Sequence, residues 1–242
     1  MIKSVKYGNT IFVKTDLLGD FFTKVHPFIN NKYILITHNG DLPVPREFSS
    51  YLDDPKIIAW LGQNVENYSH PKLHPIPIGI ANRCWPHGNI DIFTDMIKKT
   101  SNFQRNILLY MNFSIGTNYN ERSRVANLFK NQPYCVSSDP KSLNSYLADL
   151  AQSKFVLCPR GNGLDCHRTW EAFLMGAIPV LKKSTLDPMF EDMAAVLIDD
   201  WTEVNEAFLN KKYAEMQLKT YRNDKAYSAY WLNYIDSFRK KR

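Results

Sequence analysis

Residues 154–181 read KFVLCPRGNGLDCHRTWEAFLMGAIPVL, and the order of chemistry along them decides the fold. The stretch opens on a short apolar run, Phe155-Val156-Leu157-Cys158, with the length and composition of a buried strand. Pro159-Arg160-Gly161-Asn162-Gly163 then interrupts regular structure, and its two glycines can turn the chain or let a ligand approach the backbone. Asp165 is placed to cap a helix ending near Gly176, and Pro179-Val180-Leu181 restarts a strand. Strand, glycine loop, helix and strand make a βαβ unit. Its loop falls at the carboxyl end of the first strand, where open α/β sheets bind ligands.

The helix presents two chemistries. Trp170, Phe173, Leu174 and Ala177 form an apolar side at helical spacing, while His167, Arg168 and Glu171 project together from the first turns. A helix start offers unpaired N–H groups and the positive end of a dipole, which suit phosphate. Arg160 and Arg168 add guanidinium forks that match phosphate oxygens in pairs. Glu171, one turn on, is placed to accept from ribose hydroxyls, and Asn162 to meet phosphate or sugar. The blander alternative is a solvated Arg168–Glu171 pair at i,i+3, worth only a few tenths of a kcal/mol.

On these residues the chain resembles the exostosin-like glycosyltransferases. Their pattern of apolar strand, Pro-containing glycine turn, Arg, Glu-Ala, small-residue break and Pro-Val is met here by residues 155–158, residues 159–163, Arg168, Glu171-Ala172, Gly176-Ala177 and Pro179-Val180. The firm match covers some thirty residues. Fucosyltransferases of the same architecture have a similar strand, helix and strand, so the motif indicates a superfamily rather than a donor sugar. The chain is shorter than most exostosin-like enzymes. The resemblance implies two Rossmann-like halves of the GT-B type, a nucleotide-sugar donor with UDP favoured, and a glycan or glycoprotein acceptor.

Bulk properties set wide bounds. The 242 residues can bury a sizeable core in one large domain or two small ones, and 44% hydrophobic with 22% charged residues is ordinary for a globular chain. The net charge of +6 suits an anionic ligand, a membrane surface or nucleic acid, although residues 239–242 alone supply four positive charges. No basic stripe with interleaved aromatics points to nucleic acid. Four scattered cysteines without a CxxC pair argue against zinc and a disulfide framework. Neither a signal-length apolar core near the start nor an eighteen-residue apolar run is present, so the expected location is cytoplasmic.

The flanking chain repeats the strand–helix rhythm. Strands are expected over residues 10–14, 33–37 and 56–61, with a short helix over 17–25 and an edge strand or extended connection in the Pro-rich segment 73–80. The strand at 33–37 runs into His38-Asn39-Gly40-Asp41, which makes His38 and Asp41 the candidate catalytic bases of the first half; a plain Asn-Gly turn explains the same residues. Gln63 and Asn64 follow the next strand, and Asn82, Arg83, Trp85 and His87 follow the Pro-rich segment, all suited to gripping a sugar. A helix over 90–99 and a polar linker over 100–105 close this half.

The second half restarts with a strand at 106–111 ending in Asn112, then a Gly/Thr/Asn loop and a helix carrying Arg122 early. Asn112 and Arg122 therefore join Gly161, Asn162, Gly163, Asp165 and His167 as candidate nucleotide contacts, with helix surface as the other reading of Arg122. A short strand at 134–136, a helix at 142–152, a strand at 194–198 and helices at 204–217 and 226–239 complete the pattern.

Two runs of alternating strands and helices give an α/β fold with a first unit over residues 1–103, a second over 104–225, and residues 226–242 packing back on the first. A single continuous sheet is the alternative. The expected reaction is inverting, metal-independent glycosyl transfer from a nucleotide diphosphate sugar, with Asp41 or His38 as base and Arg160, Arg168 and Arg122 stabilising the leaving group. No cofactor is expected beyond the nucleotide sugar itself as substrate. A non-catalytic nucleotide or phosphosugar-binding module, or a hydrolase, would use the same cleft.

Overall fold

A computed structural model describes residues 4–66, 69–138 and 140–240. The first half contributes β1 (Asn9–Lys14), α1 (Leu18–Lys24), β2 (Tyr33–His38), β3 (Ile57–Gly62) and β4 (Leu73–Pro75), followed by α2 (Ile90–Thr100). The second contributes β5 (Ile107–Met111), α3 (Tyr119–Phe129), β6 (Cys135–Ser137), α4 (Leu143–Gln152), β7 (Ser153–Leu157), α5 (His167–Leu174), β8 (Ile178–Lys182), α6 (Asp187–Phe190) and β9 (Val196–Ile198). Two terminal helices, α7 (Glu206–Gln217) and α8 (Ser228–Lys240), follow.

These strands form two sheets, one ordered β1-β2-β3-β4 and the other β6-β5-β7-β8-β9, and every pairing in both is parallel. Parallel strands are covered on both faces, which is why β2, β3 and β7 read as unbroken apolar runs rather than as alternation. The second sheet leaves β5 in one direction to reach β6 and in the other to reach β7. That reversal is a topological switch point, and a crevice opens at the strand ends beside it. Two Rossmann-like units thus face each other across a cleft.

Three helices pack against strands of the half other than their own in sequence, or add a contact with it. The buried face of α2, Phe93 and Met96, joins a cluster with Tyr110, Leu147, Leu150 and Val156, so this helix lies on the second sheet although it precedes the expected linker at 100–105. The apolar side of α8, with Phe238 buried and Trp231, Tyr234 and Ile235 half-buried, covers Ile34, Ala59, Leu61 and Ile76 of the first sheet. Arg239 fastens that return, its Nε donating to the Gly8 carbonyl (3.0 Å) and its Nη2 to Thr10 Oγ1 (2.8 Å). The third is α5, whose Trp170 and Phe173 belong to one apolar cluster with Tyr33, Leu35 and Trp60 of the first sheet.

Two local differences from the sequence reading have simple causes. Only Leu73–Pro75 of the Pro-rich segment pairs as a strand, at the sheet edge, because Pro75 and Pro77 have no N–H to offer a further ladder. Arg46–Asp53 coils into a 3-10 helix that periodicity had not marked.

Candidate functional site

The switch point opens into a cleft of about 880 Å³. One wall is made by the loops after β5 and β7 and the start of α5, the other by Asp41, Ile78, Pro86 and His87 of the first half. Arg168 stands in the first turn of α5 with its Nε donating to the Asn112 carbonyl (2.7 Å) and its guanidinium 5.6 Å from the centre of the Phe113 ring. Its Nη1 is buried and finds no hydrogen-bond partner among the described residues. Burial works against its charge, but nearby Tyr146, Cys158, Cys166 and Glu171 outweigh that and hold its pKa above the ordinary arginine value. A fixed cation with an unused donor therefore lies on the cleft wall.

Glu171, one turn further, is buried, and its Oε2 accepts from the Tyr146 hydroxyl (2.8 Å). Burial first, and Glu171 second, push the Tyr146 pKa well up, so this hydroxyl stays a donor. Asn112 points its amide at Ser138, Nδ2 to Oγ at 2.8 Å, and Ser138 in turn meets the Tyr110 hydroxyl, which donates to Asp149. Burial pushes the Tyr110 hydroxyl up to about 12. The cleft thus carries a cation, a carboxylate and a row of amide and hydroxyl groups along the ends of β5 and β6.

Arg122 and Arg160 are placed differently from the expectation. Arg122 lines the cleft but is buried and surrounded by acceptors of its own chain: Nε donates to the Arg160 carbonyl (2.9 Å), Nη1 to the Ser114 carbonyl (2.9 Å) and the Thr117 hydroxyl, and Nη2 to the Pro159 carbonyl (3.3 Å). It braces the two loops against each other while still lining the cleft. Arg160 turns out of this cleft into a neighbouring 160 Å³ cavity, where its Nη1 pairs with Glu66 (2.9 Å). The turn between them is tightly fitted: a Cβ on Gly161 would stand 3.0 Å from Arg122 Nη2, and one on Gly163 only 2.5 Å from the Asn64 amide nitrogen.

The first-half residues divide in the same way. Asp41 lies on the cleft, exposed, and its Oδ2 accepts from the Asn162 amide (3.2 Å), joining the two halves at the mouth. His38 does not line the cleft, and its Nε2 is 3.0 Å from the Pro77 carbonyl. Gln63 and Asn64, expected at the acceptor, are fully buried and use their amides on backbone. Gln63 takes the Asn39 N–H and donates to the Gly40 carbonyl, and Asn64 takes the Asp165 N–H and donates to the Asp41 carbonyl. Asn82 is exposed and donates to Asn39 Oδ1, and Arg83 stands 3.8 Å from Asp91; neither lines the cleft.

Asp165 is no simple helix cap. Its carboxylate is buried, accepting from the N–H groups of Ile78 (2.7 Å) and Cys166 (2.8 Å) and from the Trp170 indole (2.8 Å). Burial pushes its pKa up to about 6 against the pull of those donors. His167 lines the cleft and places Nδ1 2.7 Å from the Gly79 carbonyl. Phe113, Thr117, Ser138, Lys141, Tyr146, Pro86 and His87 also line the cleft. Position just beyond a strand end would have found Phe113 and Ser138, whereas Tyr146 is hidden in sequence among the apolar residues of its own helix.

Among the described residues no group of three or more His, Cys, Asp or Glu is arranged to hold a metal ion, and no helix is long and apolar enough to cross a membrane. Fold and site define a class: paired Rossmann-like units with a cationic cleft at the strand ends. Residues 98–241, more than half of the chain, match the family described as the RXYLT1 C-terminal domain, and the chain belongs to that exostosin-like glycosyltransferase family. Among solved structures, one titled "Crystal structure of GtfA/B complex" is similar over 99% of this chain and 59% of that one, at 11% identity and a TM-score of 0.41. This chain thus spans less than two thirds of that protein. No curated protein matches the sequence.

Proposed function

We propose that the protein is a glycosyltransferase that moves a sugar from a nucleoside diphosphate donor, a UDP-sugar in the first instance, to a hydroxyl of a glycan or glycoprotein acceptor. The transfer is a single inverting displacement that needs no metal. The observation that carries this reading is the buried, unpartnered Nη1 of Arg168 on the cleft wall, one turn from Glu171. An idle guanidinium donor out of water is costly unless a ligand completes it, and a diphosphate supplies acceptors in the spacing of the fork. Arg168 then neutralises charge that grows on the leaving group as the glycosidic bond breaks. Glu171, held by Tyr146, is left to accept from ribose hydroxyls, with Asn112 and Ser138 beyond it. Family membership supports the reaction class.

Titration calorimetry with UDP and GDP tests the donor site. Arg168→Ala is expected to cost about 1–3 kcal/mol of diphosphate affinity, roughly a 5- to 150-fold weaker Kd. Equal affinity in the variant would return Arg168 to a purely structural role. Release of UDP from a panel of UDP-sugars tests turnover. Tight UDP binding with no release in the presence of glycan acceptors would favour a non-catalytic nucleotide-binding module.

A further inference from the structure

The imidazole of His167 is held in one tautomer. Its Nδ1 lies 2.7 Å from the carbonyl oxygen of Gly79, and a carbonyl only accepts, so Nδ1 carries the proton and the lone pair of the neutral ring is on Nε2. No described residue hydrogen-bonds to Nε2, and the ring lines the cleft beside Arg168. The orienting carbonyl is itself anchored, because the N–H of neighbouring Ile78 donates to buried Asp165 at 2.7 Å. Gly79 sits at φ +67°, a backbone conformation open to glycine at no steric cost. A ring with one nitrogen tied to a fixed acceptor and the other bare in a cleft is the arrangement of a general base.

An aromatic row leads to this ring from outside. Trp85, 58% exposed, stacks on His87 with centroids 6.2 Å apart, and the His87 ring stands edge-on to His167 at 6.4 Å. Trp85 and His87 thus place two further rings beside that of His167. The alternatives are worse placed: His38 is off the cleft with Nε2 against the Pro77 carbonyl, and Asp41 is exposed at the mouth and engaged with Asn162. The other charged and titratable groups on the cleft are Arg168 and Glu171 on the His167 helix, Asp165 and Cys166 just ahead of it, Arg122, Lys141 and Tyr146 from elsewhere in the second unit, and His87 and Asp41 from the first.

We infer that His167 is the catalytic base, its Nε2 removing the proton of the acceptor hydroxyl, while Trp85 and His87 guide the acceptor in. This rests on the glycosyltransferase reading above. The acceptor oxygen forms a bond to the anomeric carbon as the bond from that carbon to the diphosphate oxygen breaks, with the electron pair leaving on the diphosphate. The acceptor proton passes to Nε2, and the resulting imidazolium later returns it to water.

The test uses the full chain, with UDP release from an accepted UDP-sugar as the rate and calorimetry with UDP alone as the binding control. His167→Gln is expected to lower kcat about 10²- to 10⁴-fold while the Kd for UDP stays within about twofold. Added imidazole should restore part of the rate to His167→Ala, which a merely structural role would not allow. An active His167→Gln enzyme beside an active wild type overturns the assignment and leaves the transferase reading standing. A wild type that binds UDP but releases none from any donor overturns both.

Discussion

An arginine serves as a ligand for an anion or as a strut for a loop, and its own carbonyl neighbours decide which. Arg122 donates to three backbone carbonyls and a hydroxyl, so little of its fork is left to offer, whereas Arg168 makes one such bond and keeps a buried nitrogen idle. Histidines divide by the same rule. His26 is buried with Nε2 3.0 Å from Asp54 Oδ2, to which it donates, and Nδ1 2.7 Å from the Tyr33 hydroxyl. Burial, aided by Lys56, depresses its pKa against the pull of Asp54. The unfolded chain takes up this proton below about pH 6.5 while the native chain resists it, so the stability His26 contributes is present above that pH and lost as pH falls through it. Denaturant unfolding at pH 7.5 and pH 5.5 should show wild type losing up to about 1.4 kcal/mol more per pH unit than His26→Gln. Equal losses would mean that the buried ring titrates as it does in water. The types of residue in the cleft were legible in sequence, because Arg168, Glu171 and His167 share one helix start. Which of the guanidiniums was already occupied was not, because the carbonyls that occupy Arg122 come from segments eight and some forty residues away.

At the scale of elements, strand positions followed directly from composition, since strands buried on both faces must be apolar throughout. Helix partners did not follow: an apolar stripe says that a face is covered, not by what, and α2 proved to lie on the second sheet. One contact that periodicity cannot show sets the far end of α5. Arg105, read from sequence as part of a polar linker, donates Nη1 to the Ser153 carbonyl (2.7 Å) and Nη2 to the Met175 carbonyl (2.9 Å), serving the C-terminal ends of α4 and α5 together. Gly176 makes room for it: its φ is +72°, and a Cβ there would stand 2.5 Å from Arg105 Nη2. The chain end that positions Arg168 and Glu171 is therefore held by a guanidinium from outside its own βαβ unit. Arg105→Ala is expected to destabilise the protein by about 1.5–3 kcal/mol, read as a lowered melting temperature. Arg105→Lys should recover only part of this, because an ammonium cannot bridge both carbonyls in the plane of the fork. Full recovery by lysine would reduce the contact to simple charge at the helix ends.

Across the whole molecule, the two sheets are separate in hydrogen bonding and joined in packing. One face of α5 carries His167, Arg168 and Glu171 to the cleft, while the other sends Trp170 and Phe173 into the cluster of Tyr33, Leu35 and Trp60. Leu186, Met189, Phe190 and Met193 reach into the same cluster from beyond β8, and α8 closes the circuit by covering the first sheet from behind. A cleft wall built on a shared core cannot swing open without exposing large aromatic side chains, so we propose that the two units, although their strands pair in separate sheets, unfold together. Trp60 and Trp201 are both fully buried, one in β3 and the other directly after β9, and so report on one unit each. Denaturant midpoints followed by fluorescence in two variants that keep only Trp201 or only Trp60, with the other four tryptophans replaced by Phe, should coincide after correction for the cost of the substitutions. Trp170→Ala, which leaves a cavity at the junction and strips the indole donor from Asp165, should cost about 3–5 kcal/mol and lower both midpoints together. If Trp170→Ala instead moves one reporter and leaves the other in place, the junction is a contact between independent units, and opening of the cleft becomes available to the catalytic cycle.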